Sequence, residues 1–310
     1  MRVLIAEQDH ANYARLLAEA APDLEVLTSG DSAELALQAP QCQVWLGQPD
    51  LLASLLRQGH KPAWMQSTWA GITPLLADGL PRDYRLTRAV GIFGQVMAEY
   101  MLTYMLGHER EVLSRLVSQV ERRWDDRPGR TLEGRKVLIV GTGDIGQRVA
   151  EFLLPFGVTL YGIASTPREQ APFVEVAGLA DLPRMVGQAD YVLNLLPDTP
   201  ATHDLYDAAL FKCFQPSALF INAGRGVAVV DADLVEALKQ GDLAGAVIDV
   251  CRQEPLPQRH PFWTAWGLLL TGHSSAPTSP AAMVRLFVEN VRQYQAGQGL
   301  RGEVDFARGY

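Results

Sequence analysis

Over the first 90 residues, short apolar runs alternate with amphipathic stretches of helical period; the runs fall at residues 3–6, 24–27, 44–46, 63–66 and 84–87. Strand-like runs separated by helical patterns need crossover connections, which predicts parallel strands in one small α/β unit. From residue 94 to about 124 the pattern becomes a single long helical stretch. Met97, Met101, Tyr104, Met105 and Leu106, then Leu113 and Leu116, recur at spacings of three and four. Such a stripe reads equally as core or as a surface lying across a subunit contact. The polar segment 124–134, with Pro128 and Gly129, ends it.

A second α/β unit follows, with candidate strands at 136–140, 159–163, 191–195, 218–222, 246–250 and 268–271. Helical patterns separate most of them, so the expected architecture is a doubly wound parallel sheet. Residues 280–295 read as a terminal helix.

The chain has 310 residues. That exceeds the roughly 250 residues at which single cores stop growing, so two domains are expected. A net charge of −8 lacks the clustered positive field that phosphate neutralisation requires, which argues against a nucleic-acid partner. No apolar run approaches the roughly 20 residues needed to cross a bilayer, and a cytoplasmic protein is expected. The cysteines, Cys42, Cys213 and Cys251, are odd in number and scattered, with no metal-site spacing. They read as reduced core residues, and no metal is expected.

Strand 136–140 runs directly into Gly141-Thr-Gly143-Asp144-Ile145-Gly146 and then an apolar helix. A GxGxxG between a buried strand and a helix is a dinucleotide signature. Gly141 permits the tight turn, Gly143 lets the backbone approach a pyrophosphate, and Gly146 lets the helix pack on the strand. The helix N-terminus attracts the phosphates. At the end of the following strand, where an acid would grip a ribose 2′-hydroxyl, the chain has Ser165, Thr166 and Arg168 instead. These can donate to a 2′-phosphate, so NADP(H) is the preferred expectation, with NAD(H) as the alternative. Arg168 also reads as a solvated loop residue.

Reducing a 2-oxo acid takes a cation for the carboxylate, a proton donor for the developing alkoxide, and a group that keeps the donor charged. Arginine, histidine and a carboxylate supply these at neutral pH. They occur as Asn222-Ala223-Gly224-Arg225-Gly226, then Asp249 with Glu254-Pro255, then Gly272-His273-Ser274-Ser275, each after an apolar run where open α/β sheets place ligands. Singly, Arg225 reads as a surface turn residue, Glu254 as a loop carboxylate and His273 as a polar cap. Their joint order points to catalysis.

With these motifs, and with Asn194-Leu-Leu196-Pro197-Asp-Thr-Pro200, the chain resembles the D-isomer-specific 2-hydroxyacid dehydrogenase family, most closely its glyoxylate and hydroxypyruvate reductase branch. The resemblance covers nearly the whole chain. It implies a flavodoxin-like substrate domain at 1–93 plus 276–310 and a Rossmann domain at 94–275. It implies Arg225 on the substrate carboxylate and carbonyl, His273 as general acid and Glu254 as its partner. Asp249 would sit against the nicotinamide, with Leu196, Pro197, Ala223 and Ser275 lining the cofactor. Backbone N–H groups around Ala70 and Gly71, in Trp69-Ala70-Gly71-Ile72, would hold the substrate carboxylate. Trp45 reads either as a residue closing over substrate or as a core tryptophan. Family members commonly place proline before the histidine, where this chain has Gly272.

The implied reaction is NAD(P)H-dependent reduction of glyoxylate or hydroxypyruvate, in a homodimer as in the family or in a monomer burying the same stripe. D-lactate-type or bulkier 2-oxo acid specificity is the first alternative. A non-catalytic, nicotinamide-sensing corepressor-like protein is the second, disfavoured by the missing basic patch.

Overall fold

The computed structural model describes residues 1–309 and divides the chain into two compact units, Met1–Ile92 with the chain from Thr278 onward, and Phe93–Pro277. The first unit carries strands β1 (Arg2–Ala6), β2 (Glu25–Ser29), β3 (Val44–Gly47), β4 (Trp64–Ser67) and β5 (Arg85–Thr87), with helices α1 (His10–Ala20), α2 (Ser32–Gln38) and α3 (Pro49–Arg57). The second begins with helices α4 (Gly94–Glu109) and α5 (Val112–Val120). Its strands are β6 (Lys136–Val140), β7 (Thr159–Ile163), β8 (Glu175–Ala177), β9 (Tyr191–Asn194), β10 (Leu219–Asn222), β11 (Gly245–Ile248) and β12 (Leu268–Leu270). Helices α6 (Asp144–Leu153), α7 (Leu182–Val186), α8 (Ala208–Phe211) and α9 (Asp231–Gln240) lie between them, and α10 (Pro280–Gln295) belongs to the first unit.

Both sheets are parallel, in the orders β2-β1-β3-β4-β5 and β12-β11-β10-β9-β6-β7-β8. These are the flavodoxin-like and Rossmann-like doubly wound arrangements, as the alternating pattern predicted. In the larger sheet Leu138, Val192, Phe220 and Ile248 enter one core, while Val137, Ile139, Leu193 and Val247 enter another. Burial on both faces is why these strands read as unbroken apolar runs rather than as alternating ones.

The first unit is closed by α10. Phe287 and Tyr294 stack on the Trp64 indole, each with ring centroids 5.2 Å away. Between them Asn290, fully buried, donates from Nδ2 to Gln66 Oε1 (2.9 Å) and to Arg301 O (3.0 Å), and accepts from Arg301 N (2.8 Å). Thr87 Oγ1 donates to the same Gln66 oxygen (2.8 Å) and accepts from Trp64 Nε1 (2.9 Å). The chain then returns along β5, where Arg88 N donates to Gly302 O and Val304 N to Leu86 O. Arg85 grips Glu303 with two hydrogen bonds of 2.8 and 2.9 Å. The otherwise open edge of β5 is thereby covered.

Two expectations are corrected. The stretch 94–124 is not one helix, because Glu111 adopts a left-handed φ of 54° between α4 and α5. Arg115 ties the break together, donating to Arg110 O (3.1 Å) and Asp125 O (2.8 Å). Trp45 lies at 0% exposure in the first unit's core, its indole N–H donating to Cys42 O (3.1 Å), so it is a core tryptophan and cannot close over a substrate. At the end of α4, Glu109 is buried yet ionised. Burial alone would raise its carboxyl, but the Tyr191 hydroxyl (2.6 Å) and the guanidinium groups of Arg135 (2.9 Å) and Arg130 (3.0 Å) outweigh that and hold it below the usual range.

Asn290→Leu should destabilise the protein, because it strands both backbone groups of Arg301 and removes one of the two donors to Gln66 Oε1 inside the first unit. A loss of about 2–4 kcal/mol is expected for unsatisfied buried polar groups. The urea midpoint measures it, and an unchanged midpoint would show that Asn290 is dispensable.

Candidate active site

The register of the larger sheet aligns the ends of its strands. Val140 pairs with Asn194 and with Ile163, Asn194 with Asn222, Asn222 with Ile248, and Ile248 with Leu270. One step on, Gly141, Leu195, Ala223, Asp249 and Thr271 therefore leave the sheet in a single row at its carboxyl edge. This is the crevice position where open α/β sheets bind ligands. The row gathers the glycine loop, Leu196 and Pro197, Arg225, Glu254 and the 271–275 loop from sequence positions far apart.

At the glycine loop, a Cβ on Gly146 would stand 2.0 Å from Gly141 O, so only glycine lets α6 approach the turn. Gly141 has φ +109°, and a Cβ there would press on Leu195 at 3.0 Å. Gly143 caps α6 in an extended conformation, and no atom lies within 4 Å of where its Cβ would be. Asp144 is exposed and Ile145 half-buried in the first turn. An unobstructed backbone at a helix N-terminus fits a pyrophosphate.

Asn194 and Asn222, both fully buried, join the next two loops. Asn194 Nδ2 donates to Asn222 Oδ1 (2.9 Å), which also accepts from Gly224 N (3.2 Å), while Asn222 Nδ2 donates to Arg225 O (3.2 Å). Ala223 N donates to Asn194 O (3.2 Å) and Leu196 N to Asn194 Oδ1 (3.4 Å). The backbone of Arg225 is thus fixed while its side chain stays half-exposed, with Nη1 donating to Gly224 O (2.5 Å).

Asp249, 1% exposed, organises the histidine loop. Its Oδ1 accepts from Thr271 Oγ1 (2.6 Å) and Ser274 N (2.8 Å), its Oδ2 from Ser275 N (3.2 Å), and its carbonyl from His273 N (2.6 Å). Tyr100 of α4 completes the chain by donating to Thr271 Oγ1 (2.8 Å). Gly272 and His273 are both left-handed, with φ of 67° and 55°. Proline, locked near −65°, cannot occupy that position, whereas glycine adopts it without strain.

The loop presents the imidazole, half-exposed, with Nδ1 against Glu254 Oε2 at 2.7 Å. Glu254 Oε1 is held by Cys251 N (2.8 Å). Among the described residues Nε2 of His273 has no partner and faces away from the carboxylate. Burial, and after it the charge of Glu254, pushes the Cys251 thiol up to about 11, so it stands beside the pair as a neutral thiol. The structure thus brings Arg225, Glu254 and His273 to one edge of one sheet with the glycine loop.

Ser165, Thr166 and Arg168 leave the adjacent strand β7 and are exposed. Ala70 and Gly71 belong to the first unit, half-exposed after β4, and their amides donate to no acceptor among the described residues. That loop is braced by Ser67 Oγ, which donates to Trp69 O and accepts from Trp69 N, both at 3.1 Å, and by the Thr68 hydroxyl donating to buried Glu7 (2.6 Å). Tyr100, Glu7 and the bracing role of the two asparagines add to the residues expected from the sequence. Only the asparagines carry a signal, each being a polar residue that ends a strand otherwise wholly apolar. No group of metal-ligating residues occurs among the described residues, nor any helix long and apolar enough to cross a membrane.

Residues 102–275 match the family model of the D-isomer specific 2-hydroxyacid dehydrogenase NAD binding domain. A glyoxylate/hydroxypyruvate reductase A from Photorhabdus laumondii is 30% identical over 279 residues, covering 88% of each chain. A D-isomer specific 2-hydroxyacid dehydrogenase family protein from Aeromonas salmonicida superposes with a TM-score of 0.92 at 38% identity, over 98% of this chain and 99% of that one. The NADPH-dependent glyoxylate/hydroxypyruvate reductase of Sinorhizobium meliloti, solved with NADP and sulfate, gives 0.85 at 28% identity, over 100% and 99%. Sequence, fold and the disposition of the strand-end residues agree, and the chain belongs to the D-isomer specific 2-hydroxyacid dehydrogenase family.

Proposed function

We propose that this protein reduces a small 2-oxo acid, glyoxylate or hydroxypyruvate, to the 2-hydroxy acid, with NADPH as preferred reductant and NADH as the weaker one. The observation that carries the reading is the His273–Glu254 pair at 2.7 Å, standing with Arg225 on the carboxyl edge that also bears the glycine loop. The named activities of the Photorhabdus and Sinorhizobium relatives and the NADP in the latter structure support it.

A nicotinamide dinucleotide held at the glycine loop would supply the hydride for the carbonyl carbon. Gly141, Gly143, Asp144, Ile145 and Gly146 would hold the pyrophosphate, Ser165, Thr166 and Arg168 the ribose phosphate, and Leu196, Pro197, Ala223, Asp249 and Ser275 the remainder. Arg225 grips the substrate carboxylate and carbonyl oxygen with its planar fork. The backbone amides of Ala70 and Gly71 are further donors suited to a carboxylate. His273 delivers a proton from Nε2 to the carbonyl oxygen as charge develops there. Glu254 fixes the ring through Nδ1, and the Cys251 amide in turn fixes Glu254.

A homodimer is the second part of the proposal, and α5 supports it. Val112, Leu113, Leu116, Val117 and Val120 are all more than half exposed, and Trp124 beyond them is 90% exposed. An apolar face of that size on one helix suits an isologous contact with a second copy.

Initial rates of NADPH and NADH oxidation with glyoxylate and hydroxypyruvate test the reading. Faster NADPH oxidation with either acid is expected; a preference for NADH would remove the 2′-phosphate assignment, and no turnover with either would remove the substrate assignment. His273→Ala should lower kcat by about 10²–10⁴ with NADPH affinity near wild type, the size usual for a general acid. Arg225→Lys should raise the KM for the oxo acid by about 10- to 100-fold, the scale of one charged hydrogen bond. Near-normal kinetics in either variant would refute that residue's role. Leu116→Glu should convert the dimer to monomer in multi-angle light scattering, and a wild-type protein that is already monomeric would exclude the α5 contact.

A further inference from the structure

The cation expected to meet a 2′-phosphate is not a free loop residue. Arg168 Nη2 donates to Thr142 O (3.2 Å) and Thr142 Oγ1 (2.9 Å), Nη1 donates to Thr166 O (3.5 Å), and Nε donates to Gln170 Oε1 (2.7 Å). Thr142 is the second residue of the glycine loop and is 3% exposed, so the guanidinium is tied to the phosphate loop itself.

Gln170 is the hub of this arrangement. Its Oε1 faces two donors, Arg168 Nε and the Thr142 hydroxyl (3.1 Å). Its Nε2 faces two acceptors, Thr142 O (3.0 Å) and Gln147 Oε1 (2.5 Å). Only one orientation of the amide satisfies all four partners, and only an amide satisfies them at all. Gln147 extends the network onto α6, donating to Ala171 O (2.7 Å) and Glu151 Oε1 (3.1 Å). An aliphatic side chain at 170 would release the guanidinium. A carboxylate there would oppose an anionic oxygen to two acceptors and pair with Arg168.

We propose that Gln170 is a specificity-determining positioning residue, whose amide holds the Arg168 guanidinium rigid against the glycine loop and so gives this chain its affinity for a 2′-phosphorylated adenosine. The inference rests on the NADP(H) reading above. A preorganised donor loses less side-chain entropy on binding than a mobile one, and that difference acts only on a ligand carrying the phosphate.

Equilibrium titration of the full chain with adenosine 2′,5′-bisphosphate and with adenosine 5′-monophosphate tests this without turnover. The wild type should bind the bisphosphate more tightly. Gln170→Leu should shrink that advantage by about tenfold, the factor equivalent to about 1.4 kcal/mol, with little change for the monophosphate. Gln170→Glu should abolish it by pairing with Arg168. Retained binding of the monophosphate shows that each variant is folded. Both variants keeping the wild-type advantage would overturn the role of Gln170 and leave the cofactor reading intact. No advantage in the wild type would overturn both.

Discussion

A carboxylate taken out of water must find donors, and Asp249 finds them in the loop that carries His273. The Thr271 hydroxyl and the amides of Ser274 and Ser275 converge on its two oxygens, and the His273 amide lands on its carbonyl. Leaving such a group unpaired would cost several kcal/mol, so carboxylate and loop hold one another in a single geometry. The left-handed turn at Gly272 and His273, the presentation of the imidazole and its approach to Glu254 all follow. Parallel register does the rest, since a slip of one residue on β11 would turn Asp249 to the opposite face.

The overall charge of −8 gives no hint of this edge. Its donors are local: a helix N-terminus, a half-exposed arginine, a histidine kept beside a carboxylate, and a second arginine bound to the glycine loop. A few oriented groups at the mouth of a low-dielectric sheet set the field a small anion meets, whatever the sum over the surface. The same economy appears at Glu109, where two guanidinium groups and a tyrosine hydroxyl make a buried charge tolerable.

Eleven of the strands were legible as apolar runs, the inner ones because burial on both faces leaves few other sequences for them. Strand β8 was not, since Glu175-Val176-Ala177 opens on an exposed glutamate and leaves only two apolar residues to form a run. The break at Glu111 was hidden because the apolar spacing continues on both sides of it. Arg225, Glu254 and His273 were legible as residue types at strand ends, and the sheet register explains why they share an edge. The fate of Trp45 was not legible, because a tryptophan on an apolar strand has the same neighbours in sequence whether it faces the core or a ligand. The amide of Gln170 was invisible for a different reason: its four partners come from three segments and share no spacing.

The first unit is interrupted, and Asn290 closes it from a helix that follows the whole of the second unit in sequence. During synthesis, Phe93–Pro277 is complete and able to fold while Gln66 and Trp64 still lack their covering helix. The unit that begins the chain is therefore the last to become native. Until α10 emerges it exposes an indole and a buried-type amide, the surface a chaperone would recognise and the point at which a prematurely terminated chain would fail.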